Sequence, residues 1–191
     1  MSILQGTVVG KTPILMHNPV GSMFPISASI GRKTIPTPDV EAEASTYRLP
    51  NSDLCVPAVA IRNAILAGCA GLRLNRRAAT PIISGALLPS DLMFPLLTSG
   101  GDPLRDYVVD TQRAVVQRQG IMRSRARIDP VWVVVYNFNL NTGGATVDAI
   151  VSIVSDALRV AGQSIGILDY RPQKKGWYGT FDLGELRVIE Q

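Results

Sequence analysis

Five arginines lie between positions 113 and 127: Arg113, Arg118, Arg123, Arg125 and Arg127. No acid falls between Asp110 and Asp129. Arg123, Arg125 and Arg127 occupy alternate positions, so an extended segment projects them from one face at intervals of about 6–7 Å. A guanidinium is a planar, permanently charged fork that suits phosphate oxygens and stacks on bases. The interval is close to the phosphate repeat of an extended single strand. A β-hairpin carrying such a row can track a nucleic-acid backbone through charge and counterion release. The same row can serve as a solvated edge strand whose like charges discourage aggregation.

Lys174, Lys175, Trp177, Tyr178 and Phe181 form a second constellation. Cations interleaved with rings are what sequence-tolerant single-strand binding needs, the cations for phosphate and the rings for bases. Trp177 and Phe181 share a face if the segment is a strand, and core packing is then the stronger reading for both. Asp169-Tyr170-Arg171-Pro172 reads as a tight corner with an internal ion pair. His17 is the one histidine and the one candidate general base, with Lys11, Asn18 and Ser22 nearby in sequence. A metal-independent ribonuclease can use such a histidine to activate a 2′-hydroxyl. No Ser-His-Asp or Cys-His pattern, paired-carboxylate motif or Cys/His cluster is visible, and Gly10-Lys11 lacks the upstream glycines of a phosphate loop. We therefore expect a binding protein rather than an enzyme, with no metal and no cofactor.

These residues need elements to position them. Residues 2–10 have strand propensity. Residues 18–38 are rich in Pro, Gly, Ser and Thr and form a loop insertion of about 20 residues, a length usually tied to function. A short helix over 39–48 has Asp39 at its start. Residues 54–56 read as a short strand. Ala60, Ile61, Ala64, Ile65 and Gly68 form one face of a helix over 57–71, with Pro57 at its entry. An insertion covers about 72–106, within which 82–97 reads as edge strands or loop, broken by Pro89 and Pro95. Strands over 107–119 and 130–139 flank the arginines, giving a basic hairpin at about 113–130. Trp132, Val134, Tyr136 and Phe138 share one face of the second strand. A second helix spans 147–160, and a last strand spans 177–189. The order is strand, helix, strand, strand, helix, strand: the βαββαβ pattern of ferredoxin-like and RNA-recognition folds, here an α+β single domain of 191 residues.

Composition agrees with a soluble globular chain, 46% hydrophobic and 18% charged. The net charge is +4, carried by 15 arginines against four lysines. A mild basic excess is a weak pointer to a polyanion. Cys55 and Cys69 sit among apolar neighbours and read as buried thiols in a reducing compartment. No apolar run reaches ~18 residues, so no membrane span is expected. No basic segment followed by an apolar run opens the chain, so a cytoplasmic protein is expected.

Four blocks, in order, carry a family resemblance: residues 11–19 (KTPILMHNP), 56–65 (VPAVAIRNAI), 116–127 (VQRQGIMRSRAR) and 162–172 (GQSIGILDYRP). The chain resembles a group of uncharacterised phage and prophage proteins. That group in turn resembles the backbone subunits of CRISPR surveillance complexes, the repeat-associated RNA-binding superfamily. The resemblance implies a modified RNA-recognition fold with an inserted hairpin thumb over 119–128, and nucleic-acid backbone contacts from Arg123, Arg125 and Arg127. It also implies a homo-oligomer or helical filament on single-stranded RNA or DNA, in the host cytoplasm if phage-encoded. The chain departs from the pattern in two places. Thr180 stands where an arginine is usual, and the proline after Arg127 is delayed to Pro130. Two other readings stay open: a metal-independent RNA endonuclease using His17, and a phage structural or assembly protein whose arginines contact protein.

Overall fold

A computed structural model describes residues 2–20, 36–116 and 119–190 of the chain. The order of its strands and helices is β1 (Ser2–Gly10), β2 (Ile14–Leu15), α1 (Pro38–Ala44), β3 (Cys55–Pro57), α2 (Ala58–Gly68), β4 (Arg73–Leu74), β5 (Arg77–Ala78), α3 (Ala79–Ala86), β6 (Leu87–Pro89), β7 (Met93–Leu97), β8 (Val108–Val116), β9 (Gln119–Ile128), β10 (Val133–Leu140), α4 (Val147–Val160) and β11 (Phe181–Glu190). The class is α+β with antiparallel sheets.

The main sheet runs β11-β1-β10-β7-β3, with β6 also paired to β10. Alternation along β10 decides which side faces the core. Val134, Tyr136 and Phe138 are fully buried, while Val133, Val135, Asn137 and Asn139 are partly covered on the other side. The large rings on β10 need room from the adjacent strand. Gly6 lies opposite Tyr136 in register, and any side chain there would overlap the phenol ring. Gly10 does the same for the indole of Trp132, whose Nε1 donates to the carbonyl of Thr12 at 2.9 Å. Phe94 of β7 closes the cluster, 5.7 Å from Phe138 and edge-on to it. Such pairs add to the area term of burial.

Helix α4 forms over the span its periodicity predicts. Thr146 caps it by accepting from the backbone N–H of Ala149 at 3.4 Å, and Ile150, Val154, Ala157 and Leu158 make its buried stripe. Helix α2 is shorter than 57–71 and ends at Gly68. Helix α1 ends at Ala44 rather than running to 48. The Ser45 and Thr46 hydroxyls donate to the carbonyls of Ala42 and Glu43, at 2.6 and 2.8 Å, and close the last turn.

One element reverses its expectation. Residues 82–97 read as edge strands or loop, yet the first part is α3. Its Pro81 falls in the first turn, where the missing N–H is harmless. Ala79, Ile83 and Ala86 bury at helical spacing, and that burial overrides two isoleucines and a glycine of modest helix propensity.

Strands β8 and β9 form a hairpin that leaves the main sheet and pairs with β2 in a second, three-stranded sheet, so the run 107–119 is not the core strand beside 130–139 that the expected order makes it; β7 pairs with β10 instead. Helix α1 packs on it: the Ser45 hydroxyl accepts from the N–H of Ala126 at 2.9 Å, and a Glu41 carboxylate oxygen accepts from the N–H of Ser124 at 3.0 Å. Among the described residues no helix is long and apolar enough to cross a membrane. Of the loop insertion at 18–38, residues 21–35 lie outside the described residues.

Candidate functional site

The arginine row is built as its alternation requires. Arg123, Arg125 and Arg127 share a face of β9, opposite Gln112, Asp110 and Val108 of β8. Each guanidinium meets a carboxylate. Arg123 pairs with Glu41 of α1 at 3.3 Å. Arg125 pairs with Asp169, and its side chain is only 12% exposed. Arg127 pairs with Asp129 at 2.9 Å and with buried Asp110 at 3.1 Å. The hydrogen bond that Arg127 donates to Asp129 is the largest cause raising its pKa; burial, next in size, opposes it, and the bond donated to Asp110 adds a smaller push upward. The sequence window free of acids is therefore filled from elsewhere, by carboxylates 82 and 44 residues away in the chain. Arg113 lies opposite Met122, so it occupies the reverse face; it is exposed and forms no ion pair among the described residues. Arg118 lies outside the described residues.

The second constellation sits against the first. After α4 the chain makes a π-helical turn (Ala161–Ile165), the Asp169–Pro172 corner, and a single 3-10 turn (Pro172–Lys174). Lys175 takes a left-handed conformation with φ 64°, and Gly179 follows with φ 71°. These two turns delay β11 to Phe181, so Trp177 and Phe181 do not share a strand face. Phe181 enters the core at 1% exposure, whereas Trp177 is 59% exposed. Core packing thus holds for Phe181 and fails for Trp177. The Trp177 ring stands edge-on to Tyr170, with centroids 4.9 Å apart, and is tilted 36° to Tyr178. Tyr178 is buried and reaches the hairpin, where its hydroxyl accepts from Gln112 Nε2 at 2.7 Å and lies 3.5 Å from Asp110. Lys174 and Lys175 are exposed and have no carboxylate partner among the described residues.

The expected Asp169–Arg171 ion pair does not form. Asp169 faces Arg125, and Arg171 donates to the carbonyl of Leu168 at 2.8 Å and to Gln173 Oε1 at 3.1 and 3.3 Å. The corner is held by local hydrogen bonds, and its acid is exported to the hairpin.

His17 lies on a cleft of about 230 Å³ together with Tyr47, Leu168, Asp169 and Arg171. The Tyr47 hydroxyl donates to the carbonyl of His17 at 2.8 Å. Burial first, and Asp169 second, push the Tyr47 pKa up, so this phenol stays protonated at neutral pH. Sequence reasoning missed Tyr47, Tyr170 and Gln112 as site residues. Tyr170 stands in the Asp169–Pro172 corner, read from the sequence only as a turn; Tyr47 and Gln112 belong to no motif, and tertiary packing alone brings them in. Among the described residues no three His, Cys, Asp or Glu side chains gather so as to hold a metal ion. No protein-family model matches this chain, and no curated protein matches it.

Proposed function

We propose that this protein binds single-stranded nucleic acid with little sequence preference, one base stacking on Trp177 and neighbouring phosphates meeting Lys174 and Lys175. The observation that carries this reading is the large exposed indole, propped by Tyr170, beside two lysines that no carboxylate neutralises among the described residues. An indole left in water beside free cations has little structural use, but it is what a stacking site requires. Arg113, on the reverse face, supplies another free cation. The row Arg123, Arg125 and Arg127 contributes less charge than its sequence suggests, because its carboxylates cancel much of it.

The strand order supports a ferredoxin-like, modified RNA-recognition reading. If β1, β7, β10 and β11 are taken as the strands of a βαββαβ motif, the last lies beside the first, the first beside the third and the third beside the second. A ferredoxin-like fold would have this order, with α2 and α4 as its helices and with β7, not the run 107–119, as its second strand. The β8–β9 hairpin then occupies the place of the inserted thumb between the second and third strands. The resemblance to CRISPR backbone subunits extends the proposal to a homo-oligomer or filament along the strand, in a phage-infected cytoplasm.

Trp132 is buried and Trp177 exposed, so intrinsic fluorescence isolates the site. Single-stranded RNA or DNA should quench the exposed component. Trp177→Ala should weaken binding by about 1–3 kcal/mol. Lys174→Ala with Lys175→Ala should reduce the slope of log affinity against log salt by about 1.4. Absence of binding to any single strand at low salt refutes the reading.

The cleft that joins His17 to Tyr47, Asp169 and Arg171 favours a second reading, RNA cleavage with His17 as base. Chelator-insensitive cleavage lost in His17→Ala, with binding retained, would establish it.

A further inference from the structure

The chain carries a second arginine cluster, on the two-stranded β4–β5 hairpin. Its connection is two residues long, and both of them, Asn75 and Arg76, take positive φ (50° and 66°). That is the turn whose twist suits a two-residue hairpin, and its second position ordinarily takes glycine. Arginine there costs on the order of 1 kcal/mol. Arg73 spans the turn and donates to the carbonyl of Arg76 at 3.2 Å.

Arg73, Arg76 and Arg77 are all exposed, and no carboxylate pairs with any of them among the described residues. Register places Arg77 opposite Leu74, on the side of the hairpin that closes one wall of a cleft of about 320 Å³. Asn75, Ile82 of α3 and the turn at Gly143 and Gly144 also line it. Both glycines have positive φ, and nothing lies within 4 Å of where a side chain would start. Backbone geometry, not crowding, therefore favours glycine there.

We propose that this cleft is a second nucleic-acid contact, which takes one nucleotide of a bound strand with its phosphate on Arg77 of the cleft and Arg76 of the adjoining turn, and its sugar or base against Ile82. The inference rests on the single-strand reading above and adds a separate surface to it. The chemistry of the lining favours a nucleotide over an acidic protein. A guanidinium (Arg77) and an amide (Asn75) line the cleft together with apolar Leu74 and Ile82, and a volume of about 320 Å³ suits one small ligand group rather than a packed interface core.

The test uses the full chain and a labelled single-stranded oligonucleotide, by fluorescence anisotropy at two salt concentrations, with light scattering and urea unfolding on the same samples. Arg76→Gly relieves the left-handed strain while removing one charge. It should keep or raise the urea midpoint and yet weaken binding, by roughly threefold to tenfold at 0.15 M salt. Arg76→Gly combined with Arg77→Ser should weaken binding further and lower the salt slope by about 1.4. Unchanged affinity and slope in the double variant, with wild-type binding intact, overturns the cleft proposal and leaves the Trp177 reading standing. A wild-type protein that binds no strand removes both. A double variant that changes oligomer mass without changing affinity assigns the hairpin to a protein contact and overturns the proposal.

Discussion

The chain holds two arginine-bearing antiparallel hairpins with opposite electrostatic fates. On β9, Arg123, Arg125 and Arg127 each face a carboxylate, supplied by α1, by the corner after α4, by β8 and by the turn before β10. On β4–β5, Arg73, Arg76 and Arg77 are exposed, Arg77 lines a cleft, and no acid pairs with any of them among the described residues. The residue type and the pairing pattern are alike. The difference lies in what packs on each hairpin. The long hairpin is pinned between α1 and the Tyr178 loop, both of which bring acids. The short one touches α3 and the glycine turn, whose cleft-lining residues carry none. A guanidinium that must be partly buried needs a partner, whereas one at a rim does not. The β9 row is thus first a clamp, and the β4–β5 cluster is first a charged surface.

The largest expected effect tests the clamp. Asp169→Ala leaves the nearly buried Arg125 guanidinium uncompensated and should cost about 3 kcal/mol in urea unfolding. Arg77→Ala should stay within about 0.5 kcal/mol of wild type. Equal costs would erase the distinction between the hairpins. A smaller effect tests whether the β9 row can be converted to the other type. Glu41→Gln keeps an acceptor for the N–H of Ser124 but frees Arg123 of its counter-charge. Single-strand affinity at low salt should rise by about threefold, equivalent to less than 1 kcal/mol, and the gain should vanish at high salt. No gain would mean that Arg123 cannot reach a ligand.

The smallest effect concerns a surface pair. The hydrogen bond from Arg48, more than any other cause, holds the Glu43 carboxyl below its usual range. A lowered folded-state pKa contributes stability above the ordinary carboxylate pKa, and that contribution fades as pH falls below it. Both side chains are partly exposed, so Arg48→Met should remove less than about 1 kcal/mol at pH 6 and less still at pH 3. The thiols supply an alkaline counterpart. Burial pushes Cys55 and Cys69 up to about 11, so both should resist alkylation at pH 8 until the chain unfolds. Stability from keeping them neutral is complete below pH 9 and is lost as pH rises through about 11. Rapid alkylation of the folded protein would contradict their burial.

Much of the scaffold was legible because its signals are local. The alternation of Trp132, Val134, Tyr136 and Phe138 identified the core face of β10, and the apolar stripe of 147–160 located α4. The alternation of Arg123, Arg125 and Arg127 marks an extended segment, but its pairing was not legible: the runs 107–119 and 130–139 lie in different sheets, and the segment between them is itself the second strand of the hairpin. What stayed illegible depends on distant partners. Helix α3 has weak helical propensity and forms because Ala79, Ile83 and Ala86 find a core to enter. Trp177 reads as a core residue only if residues 177–189 form one continuous strand. Left-handed turns at Lys175 and Gly179 interrupt that continuity and leave the indole outside.

By itself, then, the order of residues determined periodicity: which strands and helices can form, which face of each is apolar, and that arginines cluster at two places. Periodicity is a property of neighbours a few residues apart, and backbone sterics translate it directly. Only the tertiary structure decided which charges remain uncompensated. A carboxylate 82 residues away neutralises a guanidinium as effectively as one next to it once folding brings them within 4 Å, and no local pattern records that approach.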